Sequence, residues 1–326
     1  MMDPPPWSEQ SSTAFGPPFD DTDADVILRS SGPECVDFMV YKVILSKASP
    51  VFRTMLSLYQ PSKGKPQESL PIIDLAEDGK VSAALLSVIY PHTLGSDEQL
   101  SLNDLIAALD MARKYDMTTA SRRLLTKFKG SKAIKESPVE AFCAAYSREL
   151  GEAAQIAASA SLKHRLHLDD IGDALEYTNG PALHRLWTFH RACSAAAVRA
   201  ISGPYFRWIP STTWWSDQSA DCCCLGEHRY RLGSWSANWT PSSSWGDYLD
   251  RARNVLREHP CSEAITDEVV LEPSYQVQMC DECRKLICGL PEFSRYLGEE
   301  VDRVVSEVRG LLHFCFHDIL VNLISL

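Results

Sequence analysis

The stretch VDFMVYKVILSKASPVFRTML, from Val36 to Leu56, sets the architecture of the N-terminal third of the chain. It begins with alternation, because Val36, Phe38 and Val40 fall on one face of an extended chain and the residues between them fall on the other. Alternation of this kind is typical of a half-buried β-strand. The sequence therefore predicts a strand that buries one face and ends near Tyr41.

The same stretch then changes from strand spacing to helical spacing. Ser49 followed by Pro50 supplies an N-cap residue and a proline at the first helical position, where a backbone N–H is not needed. Behind them, Phe52, Met55 and Leu56 are spaced i, i+3 and i+4, so they share one face of a helix. A strand that runs directly into short helices is therefore predicted.

Further strands and helices are predicted on both sides of this stretch. The segments ADVILRS before it and LPIIDL after it have the composition of strands, and amphipathic helices follow as far as Gly130. Residues 23–130 are thus predicted to form an α+β domain with its strands first. The apolar residues expected to form its scaffold are Val26, Phe38, Val40, Ile44, Phe52 and Met55.

Changes in composition divide the rest of the chain. Residues 1–22 are rich in proline and acidic side chains, which is typical of a disordered tail. Residues 135–203 include the capping box SPVE and are predicted to form antiparallel helical hairpins. Residues 204–310 are predicted to be an irregular, mostly helical region rich in Cys and Trp, and residues 311–326 an apolar tail.

Charge and hydropathy exclude several classes of function. The chain has 326 residues and a net charge of −11, which argues against binding to nucleic acid or to anionic membranes because phosphate-binding surfaces need clustered cations. The cations between Arg113 and Lys135 are therefore interpreted as a solvated helix face. No secretory signal is visible, and the C-terminal apolar stretch is shorter than the ~20 residues of a membrane span. We expect a cytoplasmic or nuclear protein whose last helix is buried or covered by a partner, and a membrane anchor is the less favoured alternative for that helix.

The cysteines suggest a metal site. The chain has 11 of them, which suits a reducing compartment where thiols are free or metal-bound. Cys280 and Cys283 can bring two thiolates to one ion from a single turn, and Cys222 and Cys224 would complete the tetrahedron that Zn²⁺ prefers. A structural zinc site at these four residues is one hypothesis, and simple filling of a core by buried cysteines is the other. Acidic residues between Cys280 and Cys283 disfavour a redox role.

Over about one third of the chain, the order of elements and several short motifs resemble the BTB/POZ domain. The residues that carry the resemblance are Asp25-Val26, Phe38-x-x-Tyr41-Lys42-x-x-Leu45, Ser49-Pro50-x-Phe52 and Tyr90. The phrase PIIDLAED and the insertion between Met55 and Leu70 are similar to BTB proteins of basidiomycete fungi. The family usually has His at the position of Tyr41, and tyrosine keeps a flat ring with a hydrogen-bonding tip there.

The resemblance implies an interaction module rather than an enzyme. BTB domains commonly self-associate, and in dimeric members an acid at the Asp25 position and a base at the Lys42 position lie near the interface. Asp25, Tyr41 and Lys42 are therefore predicted dimer contacts, and the alternative is that these are exposed charges at a strand end and a helix start. The resemblance also implies that residues 135–203 are a BACK-like helical spacer.

Two functions are favoured at this point, and an enzyme in the Cys/Trp-rich region is the least favoured alternative. Some BTB domains bind the cullin scaffold of ubiquitin ligases, so one hypothesis is a homodimeric adaptor that brings an unidentified client protein to a cullin. The other is a transcription or chromatin regulator that the BTB domain dimerises and zinc stabilises. The sequence contains no P-loop, no Gly-x-Gly-x-x-Gly, no His-Glu-x-x-His and no Gly-x-Ser-x-Gly motif, and we predict that the protein is not an enzyme.

Overall fold

The structure is a computed structural model that describes residues 12–58, 70–90, 100–166, 180–203, 205–210, 230–232, 237–239, 241–277 and 279–323, with residues 230, 232, 237, 238 and 309–323 described by their backbone alone. The chain forms two compact units. The first comprises Met1–Ser137 with Arg148–Ala153, and the second comprises Pro138–Ser147 with Ala154–Leu326. The finer division of the sequence at residues 130, 203 and 310 stays a prediction.

A four-stranded sheet lies in the first unit. Its strands are β1 (Thr13–Ala14), β2 (Val26–Arg29), β3 (Val36–Val40) and β4 (Ile72–Asp74), in the order β1-β3-β2-β4. β2 and β3 are antiparallel, with Val26 opposite Val40, whereas β1 is parallel to β3 and β4 is parallel to β2. Val26, Leu28, Phe38 and Val40 are at most 1% exposed, so the predicted alternation of β3 is confirmed.

The later part of residues 1–22 belongs to this sheet. The prediction that residues 1–22 form a disordered tail is therefore wrong for that part. The amide of Thr13 donates to the carbonyl of Cys35 at 3.0 Å, and β1 therefore pairs beside β3. Phe19 is 2% exposed, and its ring meets the ring of Phe38 edge-on at a centroid distance of 5.7 Å. A two-residue strand and one aromatic side chain leave no periodic signal in the sequence, so the composition alone suggested disorder.

Helices make up most of the rest of the first unit, and short polar side chains begin several of them. They are α1 (Lys42–Ala48), α2 (Pro50–Leu58), α3 (Gly79–Ile89), α4 (Leu102–Lys114), α5 (Thr118–Gly130) and α6 (Lys132–Glu136). Asp78 accepts a hydrogen bond from the amide of Val81 at 2.9 Å, and Ser101 and Ser131 cap α4 and α6 in the same way. Such caps satisfy amides that have no partner within the helix.

One residue expected in the scaffold faces solvent instead. Met55 is 38% exposed, whereas Phe52 on the same helix is 1% exposed. On α1, Leu45 is fully buried and the expected Ile44 is half-buried. Helix α2 carries more apolar side chains than one face can bury, so the i, i+3 spacing did not determine which of them would turn inward.

The second unit is mainly helical. Its elements are α7 (Pro138–Ser147), α8 (Gly151–Ser161, which begins in the first unit), α9 (Gly180–Ser202), β5 (Tyr205–Phe206), β6 (Tyr230–Leu232), β7 (Ala237–Trp239), α10 (Ser243–Glu258), α11 (Ser262–Thr266), α12 (Glu268–Leu271), α13 (Asp281–Leu286) and α14 (Leu290–Leu323), with 3-10 turns at Glu272–Tyr275 and Ile287–Gly289. β6 pairs with β5 in parallel and with β7 antiparallel. Among the described residues, no helix has both the length and the hydropathy that a membrane span requires.

Aromatic side chains form part of the core of the second unit. The ring of Phe293, on α14, lies 5.8 Å from the rings of both Trp239 and Trp245 and 6.2 Å from the ring of Tyr248, measured between centroids. All four side chains are at most 1% exposed. The Trp-rich region therefore contributes core residues, and edge-on contacts between such rings stabilise the fold beyond the burial of their area.

An ion pair lies on the hairpin face opposite the buried residues. The Arg29 guanidinium donates from Nε and Nη2 to the two carboxylate oxygens of Asp37, at 2.8 and 2.9 Å, across β2 and β3. Ser12 Oγ also donates to this carboxylate at 2.6 Å. The hydrogen bonds from Arg29 lower the pKa of Asp37 below its usual value. The pair thus connects Ser12, in the N-terminal segment, to the hairpin.

The Asp37→Asn variant tests this connection. The lowered pKa means that the ionised carboxylate stabilises the fold above the ordinary aspartate pKa of about 3.9, and that its contribution disappears as the pH falls through the lowered value. We expect a loss of about 1 kcal/mol at neutral pH, seen as faster amide hydrogen exchange in β1, β2 and β3, and a smaller difference in acid. Glu34→Gln, at an exposed position beside β3, is the control. Unchanged exchange in Asp37→Asn at neutral pH would contradict the prediction.

Candidate protein-interaction site

Asp25 caps helix α1 although it lies outside that helix. Its Oδ1 accepts a hydrogen bond from the backbone amide of Lys42, the first residue of α1, at 2.7 Å. Tyr41 occupies the N-cap position and its side chain makes no capping bond. A carboxylate immediately before β2 therefore satisfies an amide that the helix leaves without a partner. The structure brings the predicted residues Asp25 and Lys42 together through a carboxylate and a backbone amide.

Tyr41 lies at the same corner of the first unit. Its hydroxyl donates to Asp21 Oδ2 at 2.9 Å, and its amide donates to the hydroxyl oxygen of Tyr90, also at 2.9 Å. The hydrogen bond to Asp21 raises the pKa of Tyr41, and burial raises the pKa of Tyr90 to about 12, so both hydroxyls keep their protons at neutral pH. Asp25, Tyr41 and Lys42 thus form one polar corner, and their role as dimer contacts stays a prediction.

Ser49 connects α1, α2 and the end of α4. Its side chain is fully buried, accepts a hydrogen bond from the amide of Phe52 at 3.0 Å and donates to the carbonyl of Tyr115. The rings of Phe52 and Tyr115 stack with their centroids 4.5 Å apart. The N-cap predicted at Ser49 is confirmed, and these contacts fix the direction in which α2 leaves the end of α1.

Large apolar side chains are exposed on α1 and α2. Val43 is 62% exposed, Met55 is 38% exposed and Leu58 is 74% exposed. The two helices pack against each other, and we call the surface defined by these three side chains the α1–α2 surface. Exposed apolar side chains mark a site of protein contact where they form a contiguous patch. The exposure of Val43 and Leu58 was not predicted from the sequence. It could have been inferred from their positions outside the apolar stripe of each helix.

A cleft of about 360 Å³ opens between α1, α3 and α5. Its lining includes the apolar side chains of Ile44, Val88 and Ile89, and the cationic side chains of Lys47 and Arg123. Arg123 donates from Nη1 to the carbonyl of Val88, which fixes the guanidinium at one edge of the cleft. The cleft therefore combines an apolar lining with positive charge at its edge. The cleft was not predicted from the sequence.

The predicted zinc ligands are only partly within the described residues. Cys280 precedes α13 as its N-cap residue and is half-buried, and Cys283 lies in the first turn of that helix and is 2% exposed. Cys222 and Cys224 lie outside the described residues. Within the part of the chain that the structure describes, no three His, Cys, Asp or Glu side chains are grouped so that they could hold a metal ion.

Comparison with known proteins agrees with the geometry of the first unit. The BTB/POZ domain family model matches residues 19–132. The match starts at the buried Phe19 rather than at residue 23, in agreement with the place of that ring in the core. No curated protein matches the chain. The strand-to-helix stretch from Val36, the capped helices that follow it and this match lead to one conclusion: residues 19–132 are a BTB/POZ domain, a protein–protein interaction module.

Proposed function

We propose that the BTB/POZ domain joins two copies of this chain, and that the dimer is an adaptor that brings a client protein to the cullin scaffold of a ubiquitin ligase in the cytoplasm or nucleus. The observation that carries the proposal is the α1–α2 surface, where Val43 is 62% and Leu58 is 74% exposed. An interaction module with such a surface lowers its free energy when a partner removes these side chains from water.

The energetics of this surface favour a symmetric contact. Full burial of a valine or leucine side chain contributes about 1.5–3 kcal/mol. In a two-fold dimer each residue occurs twice, so Val43 and Leu58 contribute from both subunits and offset the loss of translational and rotational freedom. The polar corner of Asp25, Tyr41 and Lys42 adjoins Val43 in sequence and would form a hydrogen-bonding rim around the apolar contact.

The Val43→Glu, Leu58→Glu double variant tests self-association. It places four carboxylates in a two-fold contact, and we expect the dimer dissociation constant to rise by two orders of magnitude or more. Sedimentation velocity over a concentration series measures the change. Val269→Glu is the matched control, because Val269 is 76% exposed on α12 of the second unit, and this variant should dimerise like the native chain. A native chain that stays monomeric at high concentration would refute the dimer.

The adaptor role is tested by retention on an immobilised cullin scaffold. The cullin scaffold should retain the native chain. It should not retain the Tyr41→Ala, Lys42→Glu variant, because this variant lacks the ring of Tyr41 and carries a negative charge in place of the positive charge of Lys42. Lys80→Glu, at an exposed position in the first turn of α3, controls for the change in net charge. Hydrogen exchange of β2 and β3 shows whether each variant is folded.

The outcomes separate the adaptor from self-association. A dimeric native chain that the cullin does not retain would exclude the adaptor role and leave dimerisation in place. Retention of the dimer on DNA that weakens steeply with salt would instead favour the transcription or chromatin regulator. The net charge of −11 makes that second result the less expected one.

We also propose a structural zinc ion held by Cys280 and Cys283 together with Cys222 and Cys224. The support comes from α13, where Cys280 and Cys283 are one turn apart and therefore lie on the same side of the chain. Two thiolates from one turn are a common half of a tetrahedral zinc site. The ion would connect this turn to the segment that contains the other two cysteines, and its binding would add to the stability of the folded chain.

Metal analysis of the purified chain tests the zinc proposal. We expect one Zn²⁺ per chain by mass spectrometry of the metal, and loss of that ion in the Cys280→Ser, Cys283→Ser double variant. Cys143→Ser removes a fully buried thiol from α7 and should retain the metal, which separates loss of ligands from general damage to the core. Zinc retained by the double variant, or missing from a native chain refolded with zinc, would contradict the proposal.

A further inference from the structure

A cleft of about 470 Å³ lies beside helix α9 in the second unit. Its lining comes from α9, from the residues after α8 and from the end of α10, and includes Arg165, Trp187, His190, Arg191, Arg257 and Glu258. Clefts that bind small molecules have volumes of about 300–1,000 Å³. The cleft is therefore large enough for a small organic ligand.

The lining is cationic in an otherwise acidic chain. Arg165 pairs with Glu258 at 3.4 Å, and Arg257 donates to the neutral amide oxygen of Asn254 at 2.6 Å. Arg191 is exposed on α9, and within the described part of the chain no carboxylate pairs with it or with Arg257. Three guanidinium groups and one carboxylate thus leave two positive charges without a counterion among the described lining residues. A dianion would balance them.

His190 lies in the wall of the cleft. It is 6% exposed, and its Nε2 atom is buried without a hydrogen-bond partner within the described residues. Burial lowers the pKa of His190, so its ring is neutral at neutral pH and adds no positive charge to the lining. The positive charge of the cleft therefore comes from its arginines.

We propose that this cleft binds a small phosphate monoester whose organic part is a flat ring. Arg191 and Arg257 pair with the phosphate oxygens, which suit the planar fork of a guanidinium. The half-buried indole of Trp187, which also lines the cleft, contacts the ring. The site belongs to the second unit and does not depend on the function proposed for the BTB/POZ domain.

Isothermal titration of the full chain with phenyl phosphate tests the proposal. We expect one saturable site with a dissociation constant below ~1 mM, and no binding of phenol, which lacks the phosphate. Arg191→Gln and Arg257→Gln should each weaken binding about tenfold, because each removes a charge-assisted pair of hydrogen bonds. Arg199→Gln removes another exposed arginine of α9 that does not line the cleft and should bind normally.

Further ligands identify the source of the monoester. Tighter binding of adenosine monophosphate than of a phosphotyrosine peptide would indicate a free nucleotide, and the reverse would indicate a phosphorylated side chain; both results support the site. Inorganic phosphate should bind more weakly than phenyl phosphate, and equal affinity would refute the ring contact. Absence of saturable binding, or an equal loss in Arg199→Gln and Arg191→Gln, would overturn the proposal.

Discussion

The alternation of side chains along the β2–β3 hairpin is the constraint on which the first unit depends. Because successive residues of a strand point to opposite faces, burial of Val26 and Phe38 on one face places Arg29 and Asp37 on the other. A shift of one residue would exchange the two faces, so the register follows from the apolar pattern. The ion pair on the outer face then provides the contact for Ser12 and gives the N-terminal segment a fixed place beside β3.

The starts of the helices are fixed by side chains that accept hydrogen bonds from unpaired amides. Ser49 and Asp78 cap the helices that follow them directly, but Asp25 caps α1 from a distant position in the sequence. An acid at position 25 therefore stabilises the fold of a single copy, whether or not the domain dimerises. For this reason the exposed Val43 and Leu58 are stronger support for self-association than the similarity at Asp25 is.

Local signals explain what the sequence could predict. The alternation around Phe38 and the cap at Ser49 need only neighbouring residues, and both were predicted from sequence. The outward turn of Met55 was not predicted, because the choice of which apolar side chain of α2 is buried depends on a distant contact, the stacking of Phe52 on Tyr115. Strand β1 and the cleft beside α9 also escaped prediction. The first has too few residues for a period, and the second combines side chains such as Arg165 and Arg257 that lie far apart in sequence.

A cationic cleft is compatible with the net charge of −11, because the two act over different distances. At physiological ionic strength, salt screens charges over about 8 Å, so most acidic side chains of the chain contribute little to the potential inside the cleft. The guanidinium groups of Arg191 and Arg257 dominate there. A nucleic acid, in contrast, needs a long track of cations, and an acidic chain repels it along that track. Net charge therefore argues against an extended polyanion and leaves a compact one, such as a single phosphate group, free to bind where arginines converge.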